Sequence, residues 1–344
     1  MAGSVGMDAV SEPRSRTILF GGDVMLGRGV NATVRKEGPA HPFGPLHALT
    51  RRADLFLANL ECAIAPGHER YSGPPKAFYF RADPVGVGVL AHAGIGLVSL
   101  ANNHALDADR AGLRDTLALL DKCHIAHAGA GTDLEAARCP AIVVISGVRF
   151  GVLSCCDHQA DFAAGQSRPG IWYLDLEEPA AQLPMLDAVE ALANQVDHVI
   201  VAVHWQPNWA PVVAECYRRL ARRLVEAGAR IVWGHSPHHF QGVEFIGDGV
   251  ALYSTGDLVT DYAVDRAYRN DRQLLFEVSL CDTGVTRVCA FPIELAYGQT
   301  QPAARAVRSW IESRFEDMCR QVGSKVVTDH EWLHVLPSRD DQSR

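Results

Sequence analysis

The stretch Ile231-Val-Trp-Gly-His-Ser-Pro-His-His239 constrains the fold more than any other, because an apolar run passes directly into clustered histidines. The run 231–233 predicts the end of a buried strand, and Gly234 predicts a turn directly after it. Three histidines follow, namely His235, His238 and His239. Neutral imidazole nitrogens at the end of a rigid strand are suitable metal ligands. Three histidines in a polar surface loop would give the same local pattern. Whether these residues form a metal site therefore depends on ligand candidates elsewhere in the chain.

The same arrangement recurs along the chain, where short apolar runs end in side chains that bind metals. Six predicted strand ends carry such residues: Asp23; Asn59 with Glu61; Asn103 with His104; His204; His235 with His238; and Asp257. Each has a structural explanation, since Asp23 is suited to cap a helix, Asn103 to hold a turn and His204 to be a satisfied buried histidine. Strand ends of one sheet meet at one rim, however, so six together indicate a site. Oxygen and nitrogen donors without cysteine suit Mn²⁺, Zn²⁺, Fe²⁺ or Mg²⁺.

Predicted helices alternate with these strands, which is typical of an α/β fold. Helical spacing or boundary signals predict helices over 84–93, 109–123, 178–195, 212–227 and 303–322. Predicted hairpins, 141–155 and 273–291, add antiparallel pairing, so we expect mixed sheets. No repeat or low-complexity linker divides the chain, and we predict one domain over 17–336 between a flexible leader, 1–16, and a flexible tail, 337–344.

The composition excludes several classes of protein. The 344 residues have a formal net charge of −8, which is unlike a nucleic-acid-binding domain. The nine cysteines are scattered and contain no C-x-x-C pair, a pattern that favours reduced thiols in the cytoplasm. No run of about 18 apolar residues predicts a membrane span, and the polar N-terminus lacks the apolar core of a secretion signal. We therefore predict a cytoplasmic protein without a membrane anchor or nucleic-acid partner, whose oligomeric state the sequence does not indicate.

The order of the motifs resembles that of the CapA family, the poly-γ-glutamate capsule proteins. The matching stretches are Gly22-Asp-Val-Met-Leu-Gly-Arg28, Asn59-Leu-Glu61, Asn102-Asn-His104, His204-Trp205, Gly234-His-Ser-Pro-His238 and Gly256-Asp257. The resemblance covers roughly 17–262, and the family is similar in turn to the calcineurin-like metallophosphoesterases. It implies a four-layer α/β/β/α sandwich with mixed sheets and a divalent metal at the strand ends.

The resemblance also implies a set of metal ligands. They are Asp23, Glu61, Asn103, His204, His235 and His238. One position departs from the phosphoesterase pattern, because Met25 stands where the D-x-H motif has its histidine. A thioether is a poor ligand for a hard cation, so we predict at least one tightly bound metal ion and not a full binuclear phosphatase centre.

Catalytic roles follow from the same resemblance. His104 is placed like the general acid of a phosphoesterase, Asp23 is suited to act as a base, and Arg28 is suited to grip an anionic group in a bidentate manner. We assign substrate contacts to Asn59, Trp205, His239 and Asp257. Trp172, Trp205, Trp209 and Trp233 flank the motifs, where core packing is the expected role and an aromatic substrate wall the alternative.

Three functions remain open from the sequence. The first is a metal-dependent hydrolase of a phosphoester or of an amide in a γ-glutamyl peptide. The second is a metal-assisted epimerase, in which a bound amide carbonyl acidifies the adjacent Cα–H, as in relatives that epimerise ribosomal peptides. The third is a non-catalytic module that binds a small molecule or peptide. Capsule members of the family usually carry an N-terminal membrane anchor, so its absence here favours an enzyme with a cytoplasmic substrate.

Overall fold

A computed structural model describes residues 15–67 and 70–338. The strands, in chain order, are β1 (Arg16–Val24), β2 (Leu55–Leu60), β3 (Ala63–Ile64), β4 (Arg81–Ala82), β5 (Ile95–Ser99), β6 (Ala126–Ala128), β7 (Ala130–Gly131), β8 (Ala141–Ile145), β9 (Val148–Cys156), β10 (Gly170–Ile171), β11 (His198–His204), β12 (Ala229–His235), β13 (Val243–Ile246), β14 (Gly249–Leu252), β15 (Asp257–Val259), β16 (Arg272–Cys281), β17 (Gly284–Ala296), β18 (Gln299–Pro302), β19 (Ser324–Thr328) and β20 (Leu333–Pro337). Most of the predicted leader and tail lies outside the described residues.

Eight α-helices lie in the described part of the chain. They are α1 (Arg28–Glu37), α2 (His47–Thr50), α3 (Val87–Ala93), α4 (Asp109–Lys122), α5 (Leu134–Arg138), α6 (Leu183–Ala193), α7 (Glu215–Glu226) and α8 (Arg305–Gln321). The helix predicted over 178–195 is shorter than expected at both ends. Proline in the first turn of α6 marks its beginning, since proline is well tolerated at that position.

The larger sheet has ten strands and mixed pairing. Its order is β19-β20-β17-β16-β1-β2-β5-β6, with β15 paired to β1 and β18 paired to β17. The strands β1, β2, β5 and β6 are parallel, whereas β16 pairs with β1 in the antiparallel direction. The ends of β1, β2 and β5 therefore lie at the same rim.

The smaller sheet has six strands in the order β13-β14-β12-β11-β9-β8. The four central strands are parallel, and the edge strands β8 and β13 are antiparallel to their neighbours. The hairpin predicted over 141–155 is formed by β8 and β9. The ends of β11 and β12 are in register at His204 and His235, so this sheet also presents its ligand candidates at one rim.

The two sheets pack face to face, with helices on both outer faces. The core between the sheets includes Phe20 and Trp233, whose ring centroids are 5.7 Å apart. The outer face of the larger sheet packs against α1, α3 and α4, and that of the smaller sheet packs against α6 and α7. The buried side of α8 packs into the core between the sheets. This is the predicted α/β/β/α sandwich.

The prediction of a turn at Gly234 is wrong, because β12 continues through it to His235. A Cβ atom at this position would lie 2.1 Å from the Tyr253 carbonyl oxygen and 2.5 Å from Trp205 Nε1. Glycine is therefore required by the close approach of neighbouring backbone and not by a change of direction. The strand carries its histidine straight to the rim.

Candidate metal centre

The larger sheet positions the first carboxylates of the site. Asp23 and Asn59 are neighbours in register on β1 and β2, and Glu61 follows directly after β2. Asn59 Nδ2 donates to Asp23 Oδ1 at 2.7 Å, and Asn102 Nδ2 donates to Asn59 Oδ1 at 3.0 Å. Asn59, predicted to contact substrate, is fully buried and instead orients Asp23.

The smaller sheet contributes two imidazoles. His204 and His235 are in register, and their Nδ1 atoms lie 2.7 Å apart. Burial lowers the pKa of His235 to about 3, and burial together with the neighbouring imidazoles lowers the pKa of His204. Both rings are therefore neutral near pH 7, and two neutral nitrogens this close require a shared proton or a common cation between them.

A third part of the chain closes the site between the sheets. Asp257 pairs with Asp23 in register, and His238 Nδ1 lies 2.9 Å from Asp257 Oδ1 and 3.7 Å from Asp23 Oδ2. Asp257 was predicted to contact substrate, but its position beside Asp23 makes it a candidate ligand. Thr255 Oγ1 joins this segment to both sheets by donating to carbonyl oxygens of Gly21 and Gly234.

Two overlapping groups of side chains are arranged to hold a metal ion. The first consists of Asp23, His204 and His235, and the second of Asp23, Glu61, His238 and Asp257. Within each group the ligand atoms all lie within 4.8 Å of one another, and Asp23 belongs to both. The order of the ligands along the chain does not indicate that Asp23 belongs to both groups. Asp23 is shared because β1 lies between β2, which leads to Glu61, and β15, which begins at Asp257.

The unpaired atoms of these groups test whether a cation fits. Among the described residues, several buried polar atoms at the rim have no hydrogen-bond partner: Asp23 Oδ2, Glu61 Oε1, Asp257 Oδ2, His204 Nε2 and His235 Nε2. Leaving a buried polar atom unpaired costs about 1–3 kcal/mol, so a cluster of them is unusual in a stable fold. Carboxylate oxygen and imidazole nitrogen are common ligands of divalent ions, and the site fits one.

The titration behaviour of the carboxylates leads to the same conclusion. Burial raises the pKa of Asp23 to about 7, with the charge of Asp257 acting in the same direction and His238 opposing it. Burial and the charge of Asp23 raise the pKa of Glu61. Burial disfavours the His238 cation, but the neighbouring carboxylates outweigh it and raise its pKa to about 10. Without a cation, these buried carboxyl groups retain protons near neutral pH, and a divalent ion bound among them would displace those protons.

Met25 occupies the position of the missing histidine. Its side chain is fully buried, and its sulfur accepts a hydrogen bond from the Gly27 backbone N–H at 3.1 Å. The thioether is thus engaged by the backbone and contributes packing beneath the start of α1.

His104 belongs to a buried polar triad that the sequence interpretation missed. Its Nδ1 lies 2.5 Å from Asp107 Oδ2, and Lys76 Nζ donates to Asp107 Oδ1 at 2.6 Å. Lys76 also donates to the Asn103 carbonyl oxygen. Burial lowers the pKa of His104 to about 4, although the Asp107 carboxylate opposes the shift. The spacing of Asp107 three residues after His104 was a usable signal, whereas nothing in the sequence placed Lys76 beside it.

A cavity of about 500 Å³ opens beside the metal ligands. Arg28, predicted to bind an anion, lines it, as do Asn103, His104 and His238. The Arg28 guanidinium carbon lies 5.7 Å from the Phe80 ring centroid, and its Nε lies 3.5 Å from Asp261 Oδ2. The Arg28 side chain is 41% exposed, so its guanidinium remains accessible from the cavity. Asn103 Oδ1 is buried without a partner among the described residues.

Two predicted substrate contacts do not line this cavity. Trp205 is fully buried in the core of the outer layer, and its Nε1 donates to the Tyr253 carbonyl oxygen at 2.9 Å. His239 is buried, and its two ring nitrogens contact the carbonyl oxygens of Phe240 and Ala210, each at 2.9 Å. These contacts tie both side chains to the scaffold and leave them unsuitable for substrate. Of the four tryptophans near the motifs, Trp209 alone lines the cavity.

Residues 17–262 match the family described as bacterial capsule synthesis protein PGA_cap. A probable polyglutamine synthesis accessory protein of Mycobacterium tuberculosis strain H37Rv is 29% identical over 380 residues, which cover 95% of this chain and 98% of that protein. The PGA biosynthesis protein CapA of Bacillus subtilis is 28% identical over 288 residues, which cover 83% of this chain and 73% of that protein.

Solved structures show a weaker likeness. A 5'-nucleotidase precursor from Thermus thermophilus aligns over 90% of this chain and 59% of its own, with a TM-score of 0.46 and 14% identity. A hypothetical protein from the same organism aligns over 81% of this chain and 99% of its own, with a TM-score of 0.46 and 16% identity. Within 15–67 and 70–338, no helix combines the length and apolar character needed to cross a membrane.

Proposed function

The chain belongs to the bacterial capsule synthesis family PGA_cap, and on that footing we propose that it is a metal-dependent hydrolase that cleaves an amide bond of a γ-glutamyl peptide. The observation that carries the proposal is the cluster of buried, unpaired ligand atoms from Asp23, Glu61, Asp257, His204 and His235. Such a cluster is costly unless a cation occupies it, and it lies beside an open cavity.

The residues that would hold the ion are those of the two overlapping groups. His204 and His235 supply neutral nitrogens from one sheet, and Asp23 supplies a carboxylate from the other. A divalent ion bound there would supply Lewis acidity toward a carbonyl oxygen or a water molecule. Asn59 keeps Asp23 in place, because its amide bonds the carboxylate oxygen Oδ1.

His104 is the proposed proton carrier. Asp107 holds Nδ1 at 2.5 Å, so Nε2 is the nitrogen left to exchange a proton with a substrate in the cavity. A neutral imidazole first accepts a proton and then delivers it to the leaving amine, and the Asp107 carboxylate stabilises the charged form between these events. Lys76 keeps Asp107 in position, so we assign Lys76 a positioning role.

The proposed substrate class combines the lining of the cavity with the descriptions of the relatives. Arg28 offers an accessible guanidinium, which suits a carboxylate near the scissile bond. The relatives are described by their roles in polyglutamine synthesis and PGA biosynthesis, which makes a glutamate-containing peptide the preferred candidate.

The test is incubation of the purified chain with Mn²⁺ and an oligo-γ-glutamate, followed by mass spectrometry of the products. We expect shortened chains from the wild type and at least about a hundredfold slower release from His204→Ala, because a ligand is lost. His330→Ala, which changes an exposed histidine, is the matched control.

Other outcomes would replace the proposal. Phosphate release from a generic phosphoester without peptide cleavage would identify a phosphoesterase. Deuterium uptake at a peptide Cα without cleavage would identify an epimerase. Peptide binding in the absence of any of these reactions would identify a binding module.

A further inference from the structure

Arg28, the candidate for binding an anion, begins α1 in an unusual backbone conformation. Its φ angle is 52°, in the left-handed region that residues other than glycine rarely adopt. Such a conformation persists where the surrounding structure holds it in place. The residue before the helix, Gly27, has no side chain to cap it, and the first turn of α1 carries no acidic residue. Contacts from another part of the chain therefore fix the position of Arg28.

Asp261 supplies these contacts. Its Oδ2 accepts a hydrogen bond from the Gly29 backbone N–H at 2.8 Å and lies 3.5 Å from Arg28 Nε. The carboxylate thus caps the N-terminus of α1, where a negative charge is favourable, and pairs with the side chain of its first residue. Within residues 15–67 and 70–338, Asp261 is the one hydrogen-bond or ion-pair partner of the Arg28 side chain.

The pairing of two strands places Asp261 beside Arg28. Val259 on β15 lies opposite Val24 on β1 in a parallel pairing, and the Met25 backbone N–H donates to the Val259 carbonyl oxygen at 2.9 Å. Parallel strands leave a sheet at the same edge. The residues that follow the two strands, Arg28 and Asp261, therefore meet there.

Capping alone does not account for a carboxylate at position 261. The Asp261 side chain is 2% exposed, and its Oδ1 is buried without a hydrogen-bond partner in the described ranges. Burying a charge with one oxygen unpaired is unfavourable, whereas asparagine would cap the same N–H without a charge. The ion pair with Arg28 gives a reason for the charge.

Aromatic rings also pack against Arg28 at the metal-centre cavity. The guanidinium carbon lies 5.7 Å from the Phe80 ring centroid and 5.9 Å from that of Phe78, and all three residues line the cavity. Asp261 pairs through Nε, which leaves the N–H groups of the terminal nitrogens for a ligand. Because the side chain is ordered before a ligand arrives, less rotamer entropy is lost on binding.

We propose that Asp261 is a positioning residue, which fixes Arg28 so that its guanidinium recognises a carboxylate of the substrate at the metal centre. The inference rests on the proposed function for the class of that substrate. A guanidinium suits a carboxylate because its N–H groups match the two oxygens. The charge of Asp261 also competes with the substrate for Arg28, since opposite charges attract. Positioning and competition predict opposite effects when that charge is removed.

The test measures binding of two uncleavable ligands to the full chain in Mn²⁺ by calorimetry. The first is a γ-glutamyl dipeptide in which a methylene group replaces the nitrogen of the linking amide, and the second is the same compound with its carboxylates amidated. We expect the wild type to bind the acid at least about tenfold more tightly than the amidated form. Asp261→Asn should reduce this preference to about threefold or less, because Arg28 is no longer held in place, and should leave binding of the amidated form unchanged.

Further variants separate positioning from a general loss of structure. In Arg28→Gln the preference should disappear, and adding Asp261→Asn should cause no further change, because Asp261 acts through Arg28. Asp261→Glu keeps the charge but displaces the carboxylate by one methylene group, so we expect it to weaken the preference as well. If Asp261→Asn does not fold, an undiminished preference in Asp261→Glu would overturn the inference. Asp248→Asn is the matched control, because it removes an equal charge from the exposed turn between β13 and β14.

Tighter binding of the acid by Asp261→Asn would overturn the inference, because competition would then outweigh positioning. An unchanged preference in that variant would also overturn it, as would a further loss when Asp261→Asn is added to Arg28→Gln. A wild type that binds both ligands equally, or neither, would contradict it too. Because neither ligand can be cleaved, a chain that shows the predicted preference but hydrolyses no peptide would refute the proposed reaction and leave the role of Asp261 standing.

Discussion

At the scale of single residues, the site is governed by an imbalance of buried charge. Asp23, Glu61 and Asp257 lie together at the rim, fully buried, and His238 is the cation among them. Burial and mutual repulsion raise the pKa of both Asp23 and Glu61, so the metal-free site holds protons that a free carboxyl would release near neutral pH. A metal ion would replace these protons, which couples metal binding to pH.

Removing one of these charges should have opposite effects with and without metal. We expect Glu61→Gln to raise the melting temperature in EDTA, because one buried carboxylate is removed, and to diminish the stabilisation produced by Mn²⁺. At a hundredfold excess over Kd, metal binding to the wild type should contribute about 2.7 kcal/mol. Thermal unfolding of both proteins in EDTA and in Mn²⁺ measures this, with the exposed Glu190→Gln as control. A variant that Mn²⁺ stabilises as much as the wild type would contradict the role of Glu61.

The proton on His238 predicts how metal-free stability depends on pH. Its pKa in the fold is about 10, above the ordinary 6.5, so its stabilising contribution is complete below 6.5 and is lost as pH rises toward 10. Asp23 acts in the same direction up to about pH 7, whereas His204 and His235 oppose it only below 6.5. Urea unfolding in EDTA should therefore show falling stability from pH 6.5 to 9.

His238→Gln should flatten this decline, because the variant carries no titrating proton at that position. With Mn²⁺ present, the slope for the wild type should reverse or vanish, since metal binding requires deprotonated ligands. His330→Gln, at an exposed position, should retain the wild-type slope. An unchanged decline in His238→Gln would show that another group is responsible.

At the scale of secondary-structure elements, close contacts between backbones place the ligands. A Cβ atom on Gly22 would lie 1.9 Å from the Gly256 carbonyl oxygen, and one on Gly234 would lie 2.1 Å from the Tyr253 carbonyl oxygen. These glycines let the segment that crosses between the sheets pass directly against β1 and β12. The crossing segment carries Asp257, so its position sets the geometry of the site.

Adding one methyl group at this crossing should therefore disturb metal binding. Gly234→Ala forces apart two backbones that cannot rotate away, and overpacking of this kind costs about 1–3 kcal/mol or more. We expect a lower melting temperature and a lower metal content. Gly44→Ala is the control, because a Cβ there has open space within 4 Å. Full metal content in folded Gly234→Ala would show that the crossing does not set the ligand geometry.

Much of this arrangement was predictable from the sequence, for a physical reason. Apolar runs that end in Asp23, His204 or His235 mark strands, and parallel strand ends must share a rim. Lys76 was not predicted, because the glycine- and proline-rich segment that carries it gives no periodic signal of where it returns to the fold. Asp107 was missed although its spacing from His104 was a usable signal. Trp205 and His239 were assigned to substrate because they neighbour ligands in sequence, but Trp205, directly after β11, packs into the outer core and His239, in the bend after β12, contacts backbone carbonyl oxygens.

At the scale of the whole molecule, the candidate centre joins the two sheets. Asp23 and Glu61 come from the larger sheet, while His204 and His235 come from the smaller one. None of these four residues belongs to the apolar core between the sheets or to the cores between each sheet and its outer helices. The apolar packing of the fold therefore does not depend on them. An ion held by both sheets would cross-link the rim and fix the floor of the cavity on which the proposed chemistry depends.

The most direct measurement is the metal content of the purified chain, determined by plasma mass spectrometry before and after incubation with Mn²⁺ or Zn²⁺ and removal of free ions. We predict at least one tightly held divalent ion per wild-type chain, and a clear loss in the double variant His204→Ala, His235→Ala. A wild-type chain that contains no stoichiometric metal, and gains none from either ion, would contradict the account.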